Sequence, residues 1–594
     1  MSNPLDLENV RTWCDNDPDP HTKNELAALI KAFPATENDL AERFGGRLAF
    51  GTAGLRGTLG AGPNRMNRAV VRQTTAGLAD YLIDSTPAAG RRGVLIGYDG
   101  RHLSREMAHD TAGVLAARGI KAILIDRTAP TPLVAFGTTH FGTAAAVMVT
   151  ASHNPPQDNG YKVYWSNGAQ IIPPQDRGIA EAIDADLARL GEEGIGNAAN
   201  VPMMTLDEAR DASLLQEPGR ELEAAYLDAL ANALPAAGRR DDPLTIVYTP
   251  LHGVGRELAE RALLRAGFSR VHVVPEQADP DGDFPTVAFP NPEEPGAMDL
   301  ALGLAEAVGA DLVLANDPDA DRLAVIARNA EGEFVPLDGN QIGVLLAEFL
   351  LDVAAEPDPK IVMNSIVSSG MLAVIAAAHG VEFETVLTGF KWIGNRALER
   401  EAKEPDLSFI FGYEEALGYT VGTVCRDKDG IGAAVAMAEL AARARDEGLS
   451  VLDRLNRLYE RHGLYLTRQR SIVLPGSEGA ARIASAMAAL RDDPPTEVGG
   501  FTVEVIADIE AGIRFEIASG TTTSLSLPRS NVLRFELEGS ATVTARPSGT
   551  EPKIKFYFEV RNEVLDGDIA GARVRAATEL EKLENSLIER LGIA

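Results

Sequence analysis

The chain has 594 residues, 45% hydrophobic and 24% charged, which is enough apolar material for several cores and excludes a disordered tether. Its formal charge of −30 at pH 7 repels nucleic acid and anionic membranes, and two cysteines, Cys14 and Cys425, cannot build a disulfide framework or a cysteine zinc site. The acidic start, MSNPLDLENVRTW, lacks a basic segment followed by an apolar one, and Glu348 and Asp352 interrupt the longest apolar stretch, 342–355. A cytoplasmic protein is expected, with no membrane and no nucleic acid among its partners.

Apolar residues recur at helical spacing over 24–33 and 37–44. After a glycine-rich stretch at 51–62, residues 94–98, 121–125 and 145–150 read as buried strands, with a helix over 104–118. The order returns in strands 244–248, 271–274, 311–315 and 323–327 with a helix at 255–266 and another through Ala305. It returns again in strands 360–364, 382–387 and 408–412 with helices at 340–351, 371–378 and 392–401. Such alternation predicts mostly parallel sheets covered by helices. The last quarter reads differently: 501–506, 512–517, 532–537 and 541–545 suggest a largely antiparallel sheet, closed by an amphipathic helix at 569–591. The expected fold is α/β, three similar mixed α/β-sheet domains plus a C-terminal α+β domain. Charged or irregular stretches near 206–235, 328–337 and 462 place the domains at 1–206, 207–330, 331–460 and 461–594.

The sharpest feature is Asp317-Pro318-Asp319-Ala320-Asp321-Arg322, between two apolar runs. Three carboxylates crowded in one tight loop are unfavourable without a cation, and an all-oxygen set suits magnesium. A calcium EF-hand is excluded, because its sixth and twelfth positions are Arg322 and Arg328 here. A second feature is Thr150-Ala151-Ser152-His153-Asn154-Pro155-Pro156, followed by Asn159-Gly160-Tyr161-Lys162. An apolar strand delivers Ser152 into a turn built by Asn-Pro-Pro and Asn-Gly, at the strand end where ligands bind in open α/β sheets. The G-x-S-x-G elbow is absent, and His153 alone does not make a hydrolase triad.

Arg546-Pro547-Ser548-Gly549-Thr550-Glu551-Pro552-Lys553 has the composition of a phosphate-binding loop. The segment 51–57 is glycine-rich but lacks a Walker lysine. Thr388, Gly389 and Lys391 follow a strand, and Glu414 and Glu415 fall in a Gly-bounded loop, suited to accept hydrogen bonds from sugar hydroxyls. Taken singly, these last segments read as ordinary turns. The cations of all these motifs, with those of Arg426-Asp427-Lys428-Asp429-Gly430 after the glutamate loop, argue otherwise: Arg56, Lys162, Arg322, Lys391, Arg426, Lys428, Arg546 and Lys553 all fall inside them, as a basic cleft in an acidic chain requires.

In this order, the TASHNPP, DPDADR, GYEEALGY and RPSGTEPK loops resemble those of the alpha-D-phosphohexomutase superfamily, the phosphoglucomutases and phosphomannomutases. The resemblance runs from Gly51 to Lys553 and implies four domains around a central cleft, one loop from each. It implies a mutase interconverting glucose 1-phosphate and glucose 6-phosphate through a phosphoserine enzyme and a sugar 1,6-bisphosphate. Phosphomannomutase or phosphopentomutase activity is the alternative, and a metal-dependent sugar phosphate phosphatase the remote one. By resemblance, Ser152 is the phosphorylated serine, and it holds Mg²⁺ together with Asp317, Asp319 and Asp321. Lys162, His153 and Arg322 then fall at catalytic positions, and Glu414 binds sugar hydroxyls beside Thr388, Gly389 and Lys391. Arg546, Ser548, Gly549 and Thr550 hold the phosphate that is not transferred, while Arg56, Arg426 and Lys428 complete the cleft. Glucose 1,6-bisphosphate is expected as activator and intermediate, a small-molecule sugar phosphate as the partner, and a monomer or small homo-oligomer as the assembly. Ala416 stands where many members carry Ser, and Gly418 where bacterial phosphomannomutases often carry His. This form looks most like the subgroup with phosphopentomutase-active and bisphosphate-forming members.

Overall fold

The computed structural model describes residues 5–52, 54–189, 201–234, 244–355, 359–474, 476–548 and 552–593. After three N-terminal helices, Leu7–Asn16, Pro20–Ala32 and Glu37–Phe44, comes a six-stranded sheet. Its order is Leu55–Thr58, Asp158–Trp165, Ala145–Val149, Val94–Tyr98, Ala122–Leu124 and Leu215–Gln216. The first two ladders are antiparallel and the other three parallel. Strands Val94–Tyr98 and Ala145–Val149 are apolar and buried at every position, as strands covered on both faces must be.

A five-stranded sheet follows, in the order Phe334–Leu337, Ala324–Arg328, Leu312–Ala315, Thr245–Thr249 and Arg270–Val273. Its first two ladders are antiparallel and the last two parallel. The third sheet joins Glu382–Val386, Lys360–Ser365 and Ser408–Glu414 in parallel and adds Gly418–Tyr419 antiparallel. The fourth has eight strands, all antiparallel. Helix Ile569–Leu591 covers it with Ala572, Ala576, Leu580, Leu583 and Leu587, spaced to share one face. One buried apolar cluster runs from Leu95 through Leu314 and Phe411 to Phe556, so the four sheets share a continuous core.

The first three sheets each have a parallel part, but their functional edges are hairpins. Asn159 and Gly160, expected in a turn, lie in strand Asp158–Trp165, where Lys162 pairs with Met148. The chain turns back at once after the serine loop, and pairing with Ala145–Val149 satisfies its backbone. Strand Leu215–Gln216, past the expected boundary at 206, completes the first sheet, and Phe334–Leu337, past 330, completes the second. Helix Val451–His462 runs through the expected boundary at 460. Ladder partners and helix ends set these limits, and charge composition does not report them. Among the described residues, no helix is long and apolar enough to cross a membrane.

Candidate active site

Ser152 leaves the carboxyl end of strand Ala145–Val149 with φ +54°, a left-handed backbone that L-residues adopt only at a cost. Its N–H donates to Thr150 Oγ1 at 2.8 Å. A residue that the sequence reading overlooked holds the loop. The Arg101 guanidinium donates to four carbonyl oxygens: Ser152 (2.6 Å), Asn154 (2.5 Å), Pro155 (2.8 Å) and Asp158 (3.1 Å). Arg101 is 4% exposed, sits 3.4 Å from Asp99 Oδ2 and lies over the Phe284 ring at 4.9 Å. Its signal was present: Asp99 and Arg101 follow directly on the buried strand Val94–Tyr98, beside the serine's own strand.

The carboxylate loop is the hairpin between Leu312–Ala315 and Ala324–Arg328. Asp317, Asp319 and Asp321 are 0%, 0% and 1% exposed, and one oxygen from each lies within 4.8 Å of the others. Ser152 Oγ donates to Asp317 Oδ2 at 2.8 Å, and the Arg322 N–H to Asp317 Oδ1 at 3.1 Å. The Thr131 hydroxyl donates to Asp319 Oδ2 at 2.6 Å. Lys162 Nζ reaches Asp319 Oδ2 at 2.7 Å and Asp321 Oδ2 at 3.0 Å, and Lys428 Nζ lies 3.1 Å from Asp321 Oδ2. The Oδ1 atoms of Asp319 and Asp321 are buried without a hydrogen-bond partner, with Arg322 Nε 4.0 Å from that of Asp321. Two orphaned carboxylate oxygens beside a serine hydroxyl form a donor set suited to a hard divalent cation.

Electrostatics divides the triad. Burial pushes the Asp317 carboxyl well up, and Asp319 and Asp321 push it further. Burial also acts on Asp321, but Lys162, Lys428 and Arg322 outweigh it and hold that carboxyl far below the usual range. His153 Nδ1 lies 3.1 Å from Ser152 Oγ, and burial, with Arg322 and Arg56 adding, keeps its imidazole well below its usual pKa. A neutral imidazole thus faces the hydroxyl.

Glu414 is the last residue of strand Ser408–Glu414 and not part of a free loop. Its Oε1 accepts from the Gly389 N–H at 2.6 Å, and burial, then Glu415, raises its pKa to about 7. Glu415 Oε2 accepts from the Ser365 and Ser368 hydroxyls, each at 3.1 Å. Thr388 Oγ1 is buried without a partner. Lys391 Nζ donates to Thr52 Oγ1 at 2.5 Å, joining the third sheet's unit to the first. Burial lowers its pKa, Glu414 opposes the shift, and Arg546 adds to it.

Not every expected cation gathers here. Arg426 is turned to Glu401, with which it pairs at 2.7 Å. Lys428 serves the carboxylate loop, packed 5.6 Å from the Phe390 ring centre. Arg56 Nη1 donates to Asn154 Oδ1 at 3.2 Å, on the rim of the serine loop.

A central cavity of about 660 Å³ draws on all four units: His153 from the first, Arg322 from the second, Glu415 from the third, and Lys553, Lys555 and Tyr557 from the fourth. The last three alternate along strand Lys553–Asn562 and so share one face. Arg546 pairs with Lys555 one residue before the neighbouring ladder ends at Pro547, and the Ser548 N–H donates to Lys553 O at 2.7 Å to close the hairpin. Gly549 and Thr550 lie outside the described residues. A bridge between Arg322 and Gly418, with Leu323 N–H donating to Leu417 O at 3.0 Å, ties the carboxylate loop to the glutamate loop.

Family models for phosphoglucomutase/phosphomannomutase match in three places: alpha/beta/alpha domain I over residues 47–189, domain II over 224–332 and domain III over 338–462. A Schizosaccharomyces pombe protein named "Probable phosphoribomutase" is 38% identical over 580 residues, covering 96% of both chains. A phosphoglucomutase of Staphylococcus epidermidis is 35% identical over 541 residues, 91% of this chain and 96% of its own. The crystal structure of a phosphoglucomutase/phosphomannomutase family protein from Burkholderia thailandensis shares the fold, with a TM-score of 0.65 at 19% identity over 92% of this chain and 98% of that one. The three matched segments contain the serine, carboxylate and glutamate loops in turn, and the chain belongs to the phosphoglucomutase/phosphomannomutase family.

Proposed function

We propose that the protein is a phosphosugar mutase that carries the transferring phosphoryl group on Ser152. The observation that carries this reading is the 2.8 Å contact from Ser152 Oγ to Asp317, at a cavity whose far wall is basic. The P–O bond to Ser152 Oγ breaks as a sugar hydroxyl oxygen bonds to phosphorus, the hydroxyl proton leaves to a base, and the freed serine oxygen takes up a proton to become the hydroxyl that donates to Asp317. His153, neutral and beside the serine, is placed to accept it. The resulting sugar bisphosphate turns over and returns its other phosphoryl group to Ser152. Mg²⁺ held by Asp317, Asp319, Asp321 and a phosphoserine oxygen would neutralise charge on the transferring group. Lys162 and Arg322 supply fixed positive charge at the same place. Arg546, Ser548, Lys553 and Lys555 hold the far phosphate, a grip on phosphate that tolerates either orientation of the sugar.

Glucose 1-phosphate and glucose 6-phosphate, with glucose 1,6-bisphosphate as activator, are the substrates of this reading. The pentose alternative draws support from Ala416, which lines the cavity with no hydroxyl for a hexose, and from the name of the Schizosaccharomyces pombe relative. The reading includes a cytoplasmic location and a monomer or small homo-oligomer. A coupled assay across glucose, mannose, ribose and deoxyribose 1-phosphates, with and without glucose 1,6-bisphosphate, tests it. Isomerisation supports the reading, and release of inorganic phosphate without isomerisation rejects it.

A further inference from the structure

In the second unit, the segment between strand Arg270–Val273 and helix Asp299–Val308 reaches the central cavity with Phe289, Asn291, Glu293 and Glu294. Its turn is stiffly held. Pro290 and Pro292 are buried on either side of Asn291, itself 8% exposed, and each proline fixes its own φ. Asn291 accepts twice, at Oδ1 from the Glu293 N–H (3.3 Å) and at its carbonyl oxygen from the Glu294 N–H (3.0 Å). The turn so fixed presents Glu293, an exposed residue, to the cavity.

Among the described residues, the Glu293 carboxylate makes no hydrogen bond and no ion pair. Two cations bear on it all the same. Burial raises its pKa, with Glu415 and Glu294 adding, while Arg322 and Lys555 oppose the rise. Arg322 stands 3.9 Å from Asp317 Oδ2, at the transfer centre, and Lys555 belongs to the basic wall of the fourth unit. A carboxylate kept only for charge balance would pair with one of them, yet both stay outside ion-pair reach. Glu293 is therefore close to both ends of the site with its acceptors free. A molecule with a phosphate at each end brings the ring between them, and its hydroxyls, to this place. From the third unit, Ala416 lines the same cavity and offers no hydroxyl.

We infer that Glu293 binds the sugar, its carboxylate accepting hydrogen bonds from ring hydroxyls and so selecting sugars that present them. The inference rests on the mutase reading and adds to it a specificity-determining residue outside the serine, carboxylate, glutamate and phosphate loops. An ionised carboxylate accepts strongly and can take two neighbouring hydroxyls at once. A site built to bind a hydroxyl discriminates against the analogue that lacks it.

The test is kcat/KM for isomerisation of glucose 1-phosphate and of its 2-, 3- and 4-deoxy derivatives by the wild type, Glu293→Ala and Glu294→Ala. Both positions are exposed, so the variants should fold. Glu293→Ala should lose at least about tenfold on glucose 1-phosphate and little on at least one deoxy sugar, the one that lacks its partner hydroxyl. Glu294→Ala should stay within about twofold of the wild type on all four. If the wild type isomerises these sugars while Glu293→Ala keeps its kcat/KM, loses it equally on all four, or is matched by Glu294→Ala, this inference is overturned and the mutase reading stands. A wild type that releases phosphate from them without isomerisation overturns both.

Discussion

Ser152 Oγ and Asp317 Oδ2 stand 2.8 Å apart although 165 positions separate them in the chain. The contact joins loops at the ends of two different sheets, and Thr131 fixes the alignment by donating both its hydroxyl and its backbone N–H to Asp319. The serine hydroxyl therefore meets a carboxylate whose charge burial and its neighbours disfavour, while the lysines crowd Asp321 on the other side. A cation at this point relieves Asp317 and leaves the serine oxygen beside it.

Ser152→Ala and Ser152→Gly should both lose mutase activity by at least about a thousandfold, because each removes the phosphoryl carrier. They should differ in stability. The backbone at 152 has φ +54°, so glycine relieves strain that alanine keeps, by about 0.5–1 kcal/mol after its own entropic cost. Transfer of label from ³²P-glucose 1,6-bisphosphate checks the first statement and urea unfolding the second. Labelling of the alanine variant at another residue would remove Ser152 from the mechanism.

Mg²⁺ should raise the melting temperature of the wild type, since Oδ1 of Asp319 and of Asp321 are buried without hydrogen bonds. At a hundred times its Kd the ion would add about 2.7 kcal/mol. Asp319→Asn should lose most of this gain, and chelation should abolish turnover reversibly. A melting temperature indifferent to Mg²⁺ would contradict the assignment.

The sequence carried the carboxylate loop best, because three aspartates between two apolar strands need only local reasoning to imply a cation. Lys162 was legible as a cation but not as a strand residue, since its pairing with Met148 is a tertiary fact. Arg101 went unseen for a similar reason. Its place just after a buried strand is legible, but its role, to satisfy four carbonyls of a loop some fifty residues away, is a tertiary fact that local spacing does not encode. Lys428 and Arg426 sit two residues apart in one basic stretch, yet one packs on Asp321 and the other on Glu401. Composition grouped them, and the backbone turn between them sent them apart.

Arg101→Lys keeps the charge but not the planar fork, and a single ammonium cannot serve four carbonyls. We expect kcat to fall by about tenfold or more with KM little changed, as for a residue that positions Ser152 without touching substrate. Arg101→Ala should in addition destabilise the fold by about 3 kcal/mol, the cost of buried acceptors left unpaired. A change confined to KM would place Arg101 in substrate binding instead.

Glu414 has its pKa raised to about 7 by burial and then by Glu415. Its carboxyl binds a proton in the folded state that the unfolded chain releases near 4.5, so stability falls as pH rises between about 4.5 and 7, by at most about 3 kcal/mol. Glu414→Gln should flatten that part of the profile. Sugar hydroxyls donate to the ionised form, so kcat/KM should rise with pH through about 7 in the wild type and lose that limb in the glutamine variant. An unchanged acid limb in Glu414→Gln would assign it to another group.

Gly418 is coupled to the carboxylate loop through Lys428. A Cβ at 418 would come within 2.4 Å of Lys428 Cδ and 3.4 Å of Phe390 Cδ2. The backbone at 418 is not left-handed, so the cost of Gly418→Ala is the displacement of that lysine, whose Nζ lies 3.1 Å from Asp321. With Lys428 moved, Asp321 loses one of the cations that hold its pKa down, and phosphoryl transfer loses fixed positive charge. Gly418→Ala should keep the fold and lower kcat by about tenfold, and Lys428→Ala should do much the same. If the two substitutions act through one contact, the double variant should be little worse than either alone, whereas additive losses would show that they act separately.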